Sequence, residues 1–166
     1  MNTEEWITHT LEPFCPEDAR VLILGTLPSP KSRETGFYYG HPQNRFWRVL
    51  AAVFKDGVPE SNEDKKTFLT RHHVALWDVL AACNITGASD SSIKNAQYND
   101  LPGLMAGTPI AAIYTTGKKA GALYEKRWGD LPVPHVNLPS TSPANCRMHL
   151  DELVEAYAVI PKSMDL

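Results

Sequence analysis

The run Val21-Leu22-Ile23-Leu24, closed by Gly25, constrains the fold more than any other segment. A strand with one wet face alternates apolar and polar residues. Four consecutive apolar residues instead describe a strand buried on both faces, as in a parallel sheet covered above and below. Parallel neighbours need a crossover, usually a helix, so strands and helices should alternate along the chain. They do: Val74 to Leu80, Ile110 to Tyr114 and Pro134 to Leu138 contain three further strands. Phe46, Trp47, Leu50, Ala51 and Phe54 recur at helical spacing, Ser61 opens a helix running to about His72, and another helix runs from Lys118 to about Trp128. A last helix carries Leu150, Leu153, Val154, Tyr157 and Ala158 on one face. Residues 3–11 are expected to form a short helix ended before Pro13, and Ala88 to Gly107 to be polar turns. The expected fold class is α/β, a three-layer α/β/α sandwich around a central, mostly parallel four-stranded sheet, in one domain over residues 1–166.

Composition excludes several functional classes. Apolar residues make up 43% and charged residues 21% of the chain, a globular rather than disordered balance. No apolar run approaches the ~18 residues that suggest a membrane span. The acidic opening, Met1 to Trp6, lacks the basic and then apolar pattern of a secretory signal. A cytoplasmic location is therefore expected, nucleoid-associated in a prokaryote and nuclear in a eukaryote. A net charge of −3 does not suit a general DNA coater, whose affinity comes from neutralising phosphates. Lys31, Arg33, Arg45 and Arg48, against the single acid Glu34, still allow a small basic face. Three scattered cysteines, Cys15, Cys83 and Cys146, are too few for a four-cysteine cluster, and the six histidines lack metal-ligand spacing. We expect no metal and no organic cofactor.

In an open α/β sheet, ligands bind beyond the carboxyl ends of the strands. Three loops leave those ends with unusual composition, after Leu24, after Tyr114 and after Leu138. The first, Thr26 to Gln43, is too long for a routine connector, and such loops are usually functional. Gly25 lets the backbone turn sharply and approach a ligand closely. Phe37, Tyr38 and Tyr39, flanked by Gly36 and Gly40, either cover a core edge or form a stacking platform for a flat base. Asn44, just before the Phe46/Trp47 stripe, is either a helix cap or an amide that orients a water. Ser140, Thr141 and Ser142, held between Pro139 and Pro143, suit phosphate oxygens, or else form a turn before the last helix with Asn145 as its cap. His72 and His73 adjoin a helix end and suit its dipole. Thr116-Gly117-Lys118-Lys119 lacks the full phosphate-loop pattern.

Gly25-Thr26-Leu27-Pro28-Ser29, followed by Tyr38-Tyr39-Gly40-His41-Pro42-Gln43-Asn44-Arg45-Phe46-Trp47, resembles the first-motif region of the hypoxanthine-DNA glycosylases, a branch of the uracil-DNA glycosylase superfamily. It is similar, more loosely, to that of the mismatch-specific uracil-DNA glycosylases. Leu138 to Asn145 resembles the superfamily's second motif, and the resemblance spans about Val21 to Leu153. Asp78 and the segment Asp90-Ser91-Ser92-Ile93 also resemble family segments, although a polar loop explains them equally well. The resemblance implies a monofunctional DNA glycosylase that hydrolyses the N-glycosidic bond of a flipped-out deaminated base, hypoxanthine or uracil, in base excision repair. It implies DNA containing deaminated bases as partner, no membrane, and a monomer. It places Gly25, Thr26, Leu27, Phe37 and Tyr39 around the base and Ser140, Thr141, Ser142 and Asn145 on the DNA, with His41 as a further candidate. One departure stands out. In the mismatch-specific enzymes the position matching Leu27 is an Asn that polarises the attacking water. The hypoxanthine branch implies that Asn44 takes over this catalytic role. The alternative is a non-catalytic lesion-DNA or nucleotide-binding module that lost catalysis with Leu27. A small-molecule hydrolase is disfavoured, because no Ser/His/Asp ordering or acid pair stands out.

Overall fold

A computed structural model describes residues 3–87 and 89–164; Met1, Asn2, Ala88, Asp165 and Leu166 lie outside the described residues. The apolar run forms β2 (Val21–Gly25), buried along its whole length. It is central in a four-stranded parallel sheet of order β3-β2-β6-β7, where β3 is Val74–Asp78, β6 is Ala112–Thr116 and β7 is His135–Leu138. The sheet expected from the sequence is therefore present.

Alternate residues of β2 enter two separate cores, as the two-residue period of a strand requires. Val21 and Ile23 pack under α2 (Phe46–Phe54), α3 (Asn62–Arg71), α6 (Leu150–Tyr157) and α7 (Val159–Met164), among Phe46, Leu50, Phe68, Leu153 and Ile160. Leu22 and Leu24 face the other way, toward Ala120, Tyr124 and Trp128 of α5 (Lys118–Trp128). Each such fully buried aliphatic side chain contributes about 1.5–3 kcal/mol of transfer free energy. The expected three layers are present, but the second covering layer is mixed. It holds α5, α4 (Leu101–Met105) and a small antiparallel sheet of order β1-β4-β5, where β1 is Glu4–Thr8, β4 is Leu80–Thr86 and β5 is Lys94–Tyr98.

That layer corrects two expectations. Residues 3–11 do not form a helix, because Ile7, Thr8 and Thr10 are β-branched and Glu4 to Thr8 find a ladder on β4. Val74 to Leu80 contains the expected strand, β3. The chain leaves the parallel sheet after Asp78, held by Val79 N–H on Gly25 O (2.8 Å) and Leu80 N–H on Thr26 O (3.1 Å), and continues as β4. The polar stretch before Gly107 supplies a 3-10 turn at Asp90–Ser92, β5 and α4. The long loop after β2 also contains a short helix, α1 (Pro30–Thr35), capped by Ser29 and ended by Gly36 at φ 85°. Among the described residues, no helix is long and apolar enough to cross a membrane.

Candidate active site

All four parallel strands end at one cavity of about 220 Å³. That is below the ~300–1,000 Å³ of pockets for drug-sized ligands, and is scaled to a single heterocycle. The end of β2 supplies Gly25, Thr26 and Leu27, β3 supplies Asp78, β6 supplies Thr116, and the loop after β7 supplies Ser140, Thr141 and Ser142. β3 and β6 flank β2 on opposite sides, so the cavity opens at the point where the strand order reverses. Ile7 of β1 and Ile85 of β4 give it an apolar wall from the second sheet.

Asn44 lies on this lining immediately before α2. Its Oδ1 accepts two hydrogen bonds, from the Phe46 N–H at 2.9 Å and from the Thr141 hydroxyl at 2.8 Å. The first satisfies the N–H of the first residue of α2 from just outside its N-cap, Arg45, and the second ties the helix to the loop after β7. Both carbonyl lone pairs are thereby engaged, which fixes the amide and leaves its NH₂ as the part available to the cavity. Asn44 is thus not the N-cap expected as one of its two roles, but it holds the helix end while keeping its NH₂ free of both bonds. Arg45 completes the junction: its backbone N–H donates to Thr141 O at 3.1 Å, and its guanidinium to the carbonyls of Ser142 (3.1 Å), Asn145 (2.9 Å) and Met148.

Tyr39 sits at φ 53°, a left-handed conformation that costs a bulky residue about 1–3 kcal/mol and recurs at functional sites. Phe46 covers one face of its ring, with centroids 3.7 Å apart and planes 9° from parallel. Its hydroxyl bonds Thr116 Oγ1 at 3.1 Å, and desolvation pushes its pKa up, so the phenol stays neutral. The rest of the ring belongs to the cavity lining.

Behind Gly25 lies a buried ionisable pair. His9 Nε2 and Asp78 Oδ2 are 2.8 Å apart and both side chains are 5% exposed. Leu11 N–H donates to His9 Nδ1 at 3.2 Å, so the ring proton resides on Nε2 and is donated to Asp78. Desolvation pushes the Asp78 pKa up, opposed by the hydrogen bond and the electrostatic pull of His9 and by the hydrogen bond from the Gly25 backbone. A Cβ at position 25 would lie 2.6 Å from Asp78 Oδ1, which is why a glycine ends β2. Arg33, on α1, also lines the cavity, and its buried Nε has no partner among the described residues.

Of the residues singled out from the sequence, Gly25, Thr26, Leu27, Tyr39, Asn44, Ser140, Thr141 and Ser142 come together on this lining. Phe37 does not. It is buried in the core between Phe14 and Trp47, the outcome left open as covering a core edge. Asn145 is also off the lining, donating from Nδ2 to Ser140 O at 2.9 Å; it does not cap the last helix, whose N-cap is His149. His41 is off the lining too, with Nδ1 accepting from the Gln43 N–H. Sequence reasoning left Asp78 undecided and passed over His9, Thr116 and Ile7. An acid ending an apolar strand was the available signal for Asp78. None existed for His9 or Ile7, which lie in or beside the segment expected to be helical.

The Uracil DNA glycosylase superfamily model matches residues 12–159. Hypoxanthine DNA glycosylase of Methanosarcina acetivorans is 35% identical over 145 residues, 86% of this chain and 91% of that protein. Hypoxanthine DNA glycosylase of Methanosarcina barkeri is 34% identical over 111 residues, 66% of this chain and 70% of that protein. A solution NMR structure from Methanosarcina acetivorans, provisionally named a uracil DNA glycosylase, superposes with a TM-score of 0.83 at 30% identity, covering 96% of this chain and 99% of that one. From the matched family model and the extent of these similarities, the chain belongs to the uracil DNA glycosylase superfamily.

Proposed function

We propose that this chain is a monofunctional DNA glycosylase that hydrolyses the N-glycosidic bond of a flipped-out deaminated base in DNA, hypoxanthine foremost. The observation that carries the proposal is the junction at Asn44. One carboxamide, locked by the α2 terminus and by Thr141, shares a heterocycle-sized cavity with Tyr39, an aromatic ring backed by Phe46. The names of the two relatives support hypoxanthine as the base.

A base inside a duplex is shielded, so the nucleotide must swing out, at a cost of a few kcal/mol that is smallest for poorly paired bases. Tyr39 stacks on the extruded ring. Cleavage leaves positive charge on the sugar and negative charge on the departing base. Asn44, its carbonyl already engaged, holds water through Nδ2 so that a lone pair faces the anomeric carbon. An amide is a poor general base, so its contribution is positioning. Ser140 and Ser142 each accept a backbone N–H on Oγ, from Ser142 (3.1 Å) and Ala144 (3.2 Å). Each hydroxyl keeps its own proton to donate to phosphates flanking the lesion. No lysine is among the lining residues, which favours direct hydrolysis over attack by an amine.

Base release from duplexes carrying hypoxanthine, uracil or no lesion tests the proposal. The expected products from the hypoxanthine duplex are free hypoxanthine and an intact strand bearing an abasic site. Lesion binding without release would support the non-catalytic alternative.

A further inference from the structure

Asp78 has no part in the chemistry above, yet its carboxyl lies at the end of β3 on the cavity lining and almost wholly out of water. One oxygen, Oδ2, is committed to the His9 Nε2–H, whose tautomer is set by Leu11. The other, Oδ1, lies against Gly25, where the missing Cβ keeps the approach open. Tyr38 and Tyr39 are the other ionisable groups around it. Both are neutral phenols with raised pKa values, and the Tyr38 hydroxyl is spent on Glu12 O at 2.7 Å. Arg33 and Asp90 are the remaining charged groups on the lining. Among the described residues, the imidazole paired with Asp78 is that of His9, at 2.8 Å.

A structural acid would not need this setting. Asp78 costs stability if ionised, since a charge buried at the mouth of the sheet is expensive. We propose that Asp78 is the general acid of the reaction, handing its Oδ1 proton to N7 of the departing purine, with His9 as the positioning residue that fixes the carboxyl. This rests on the glycosylase function proposed above. The step balances without a co-reactant. The C1′–N9 bond breaks with its electron pair passing to the base, N7 takes the Asp78 proton, and hypoxanthine leaves neutral. Water adds its oxygen to C1′ and loses one proton, which restores the carboxyl through solvent. Desolvation, the leading influence on this carboxyl, favours the protonated form that the step requires.

The test is single-turnover release from a deoxyinosine duplex across pH, for wild type, Asp78→Asn and His9→Ala. Asp78→Asn keeps the shape but has no proton to transfer, so its rate should fall on the order of 10²-fold or more. The wild-type decline in rate at high pH should be absent from it. His9→Ala removes a hydrogen bond that favours the carboxylate, so that decline should move to higher pH, a shift that a purely structural role would not produce. On wild-type protein, a duplex carrying 7-deaza-2′-deoxyinosine should bind but resist cleavage, and this arm stands even if Asp78→Asn fails to fold. A folded Asp78→Asn protein with unchanged rate and pH profile, or cleavage of the 7-deaza duplex at the deoxyinosine rate, overturns the role of Asp78. Wild-type protein releasing no base from any duplex overturns the glycosylase function itself.

Discussion

Tyr39 bears the backbone strain, the Phe46 stack and the Thr116 hydrogen bond together, and its contribution should appear in binding. Tyr39→Ala should weaken productive binding of lesion DNA by about 1–3 kcal/mol, roughly 5- to 150-fold in KM, the usual worth of one base–aromatic stack. Tyr39→Phe keeps the ring and should cost far less. Gly25→Ala places a methyl group against the Asp78 carboxyl, which His9 pins. It should lower the single-turnover rate by about 10²-fold, the expected cost of a displacement near 1 Å, and lower stability by about 1–3 kcal/mol through overpacking. At this scale the sequence was informative wherever a residue sits in a contiguous motif, as with Asn44 and Ser140 to Ser142. Phe37 and Tyr39, two residues apart in one aromatic triplet, were not separable. Only the left-handed turn at Tyr39 directs one ring to the cavity and leaves the other in the core.

The junction between α2 and the loop after β7 depends on Arg45, whose guanidinium satisfies three carbonyls. Arg45→Ala leaves them unpaired, and should cost on the order of 3 kcal/mol in denaturant unfolding and slow base release by disordering Ser140 to Ser142. A second junction joins the end of α2 to the end of α3. There Asp56 accepts from His72 Nε2 at 2.8 Å, from the Gly57 N–H at 2.7 Å and from Arg71. The hydrogen bond from His72 leads in lowering the Asp56 carboxyl to about 2. Because the folded pKa lies below the unfolded value, the stabilisation is present above about pH 4 and is lost as pH falls through about 2. The difference in melting temperature between wild type and Asp56→Asn should close over that range. The helices and parallel strands were legible because each obeys its own hydrophobic period. The antiparallel sheet was not. β1 and β5 have few buried residues, and both are defined by pairing with β4, a long-range contact invisible to local propensity.

For the whole molecule, a net charge of −3 and few basic groups near the cavity imply light use of phosphate contacts. With about three phosphates neutralised, affinity should fall less than ~100-fold between 50 and 200 mM salt, which a binding titration at graded salt measures. The layered α/β fold followed from one uninterrupted apolar strand, whereas the cavity's full wall required the β1-β4-β5 sheet to close over the strand ends. Over those ends, the Asn44 carboxamide, fixed by Phe46 and Thr141, is the group to which base excision is assigned. Single-turnover release of hypoxanthine by Asn44→Ala, with its melting temperature followed in parallel, tests that assignment most directly. Asn44→Ala should lose on the order of 10²-fold or more in rate, alongside a drop of only about 2–4 °C for a lost helix-end hydrogen bond worth ~1 kcal/mol. A variant that melts lower yet excises hypoxanthine at the wild-type rate would contradict the assignment.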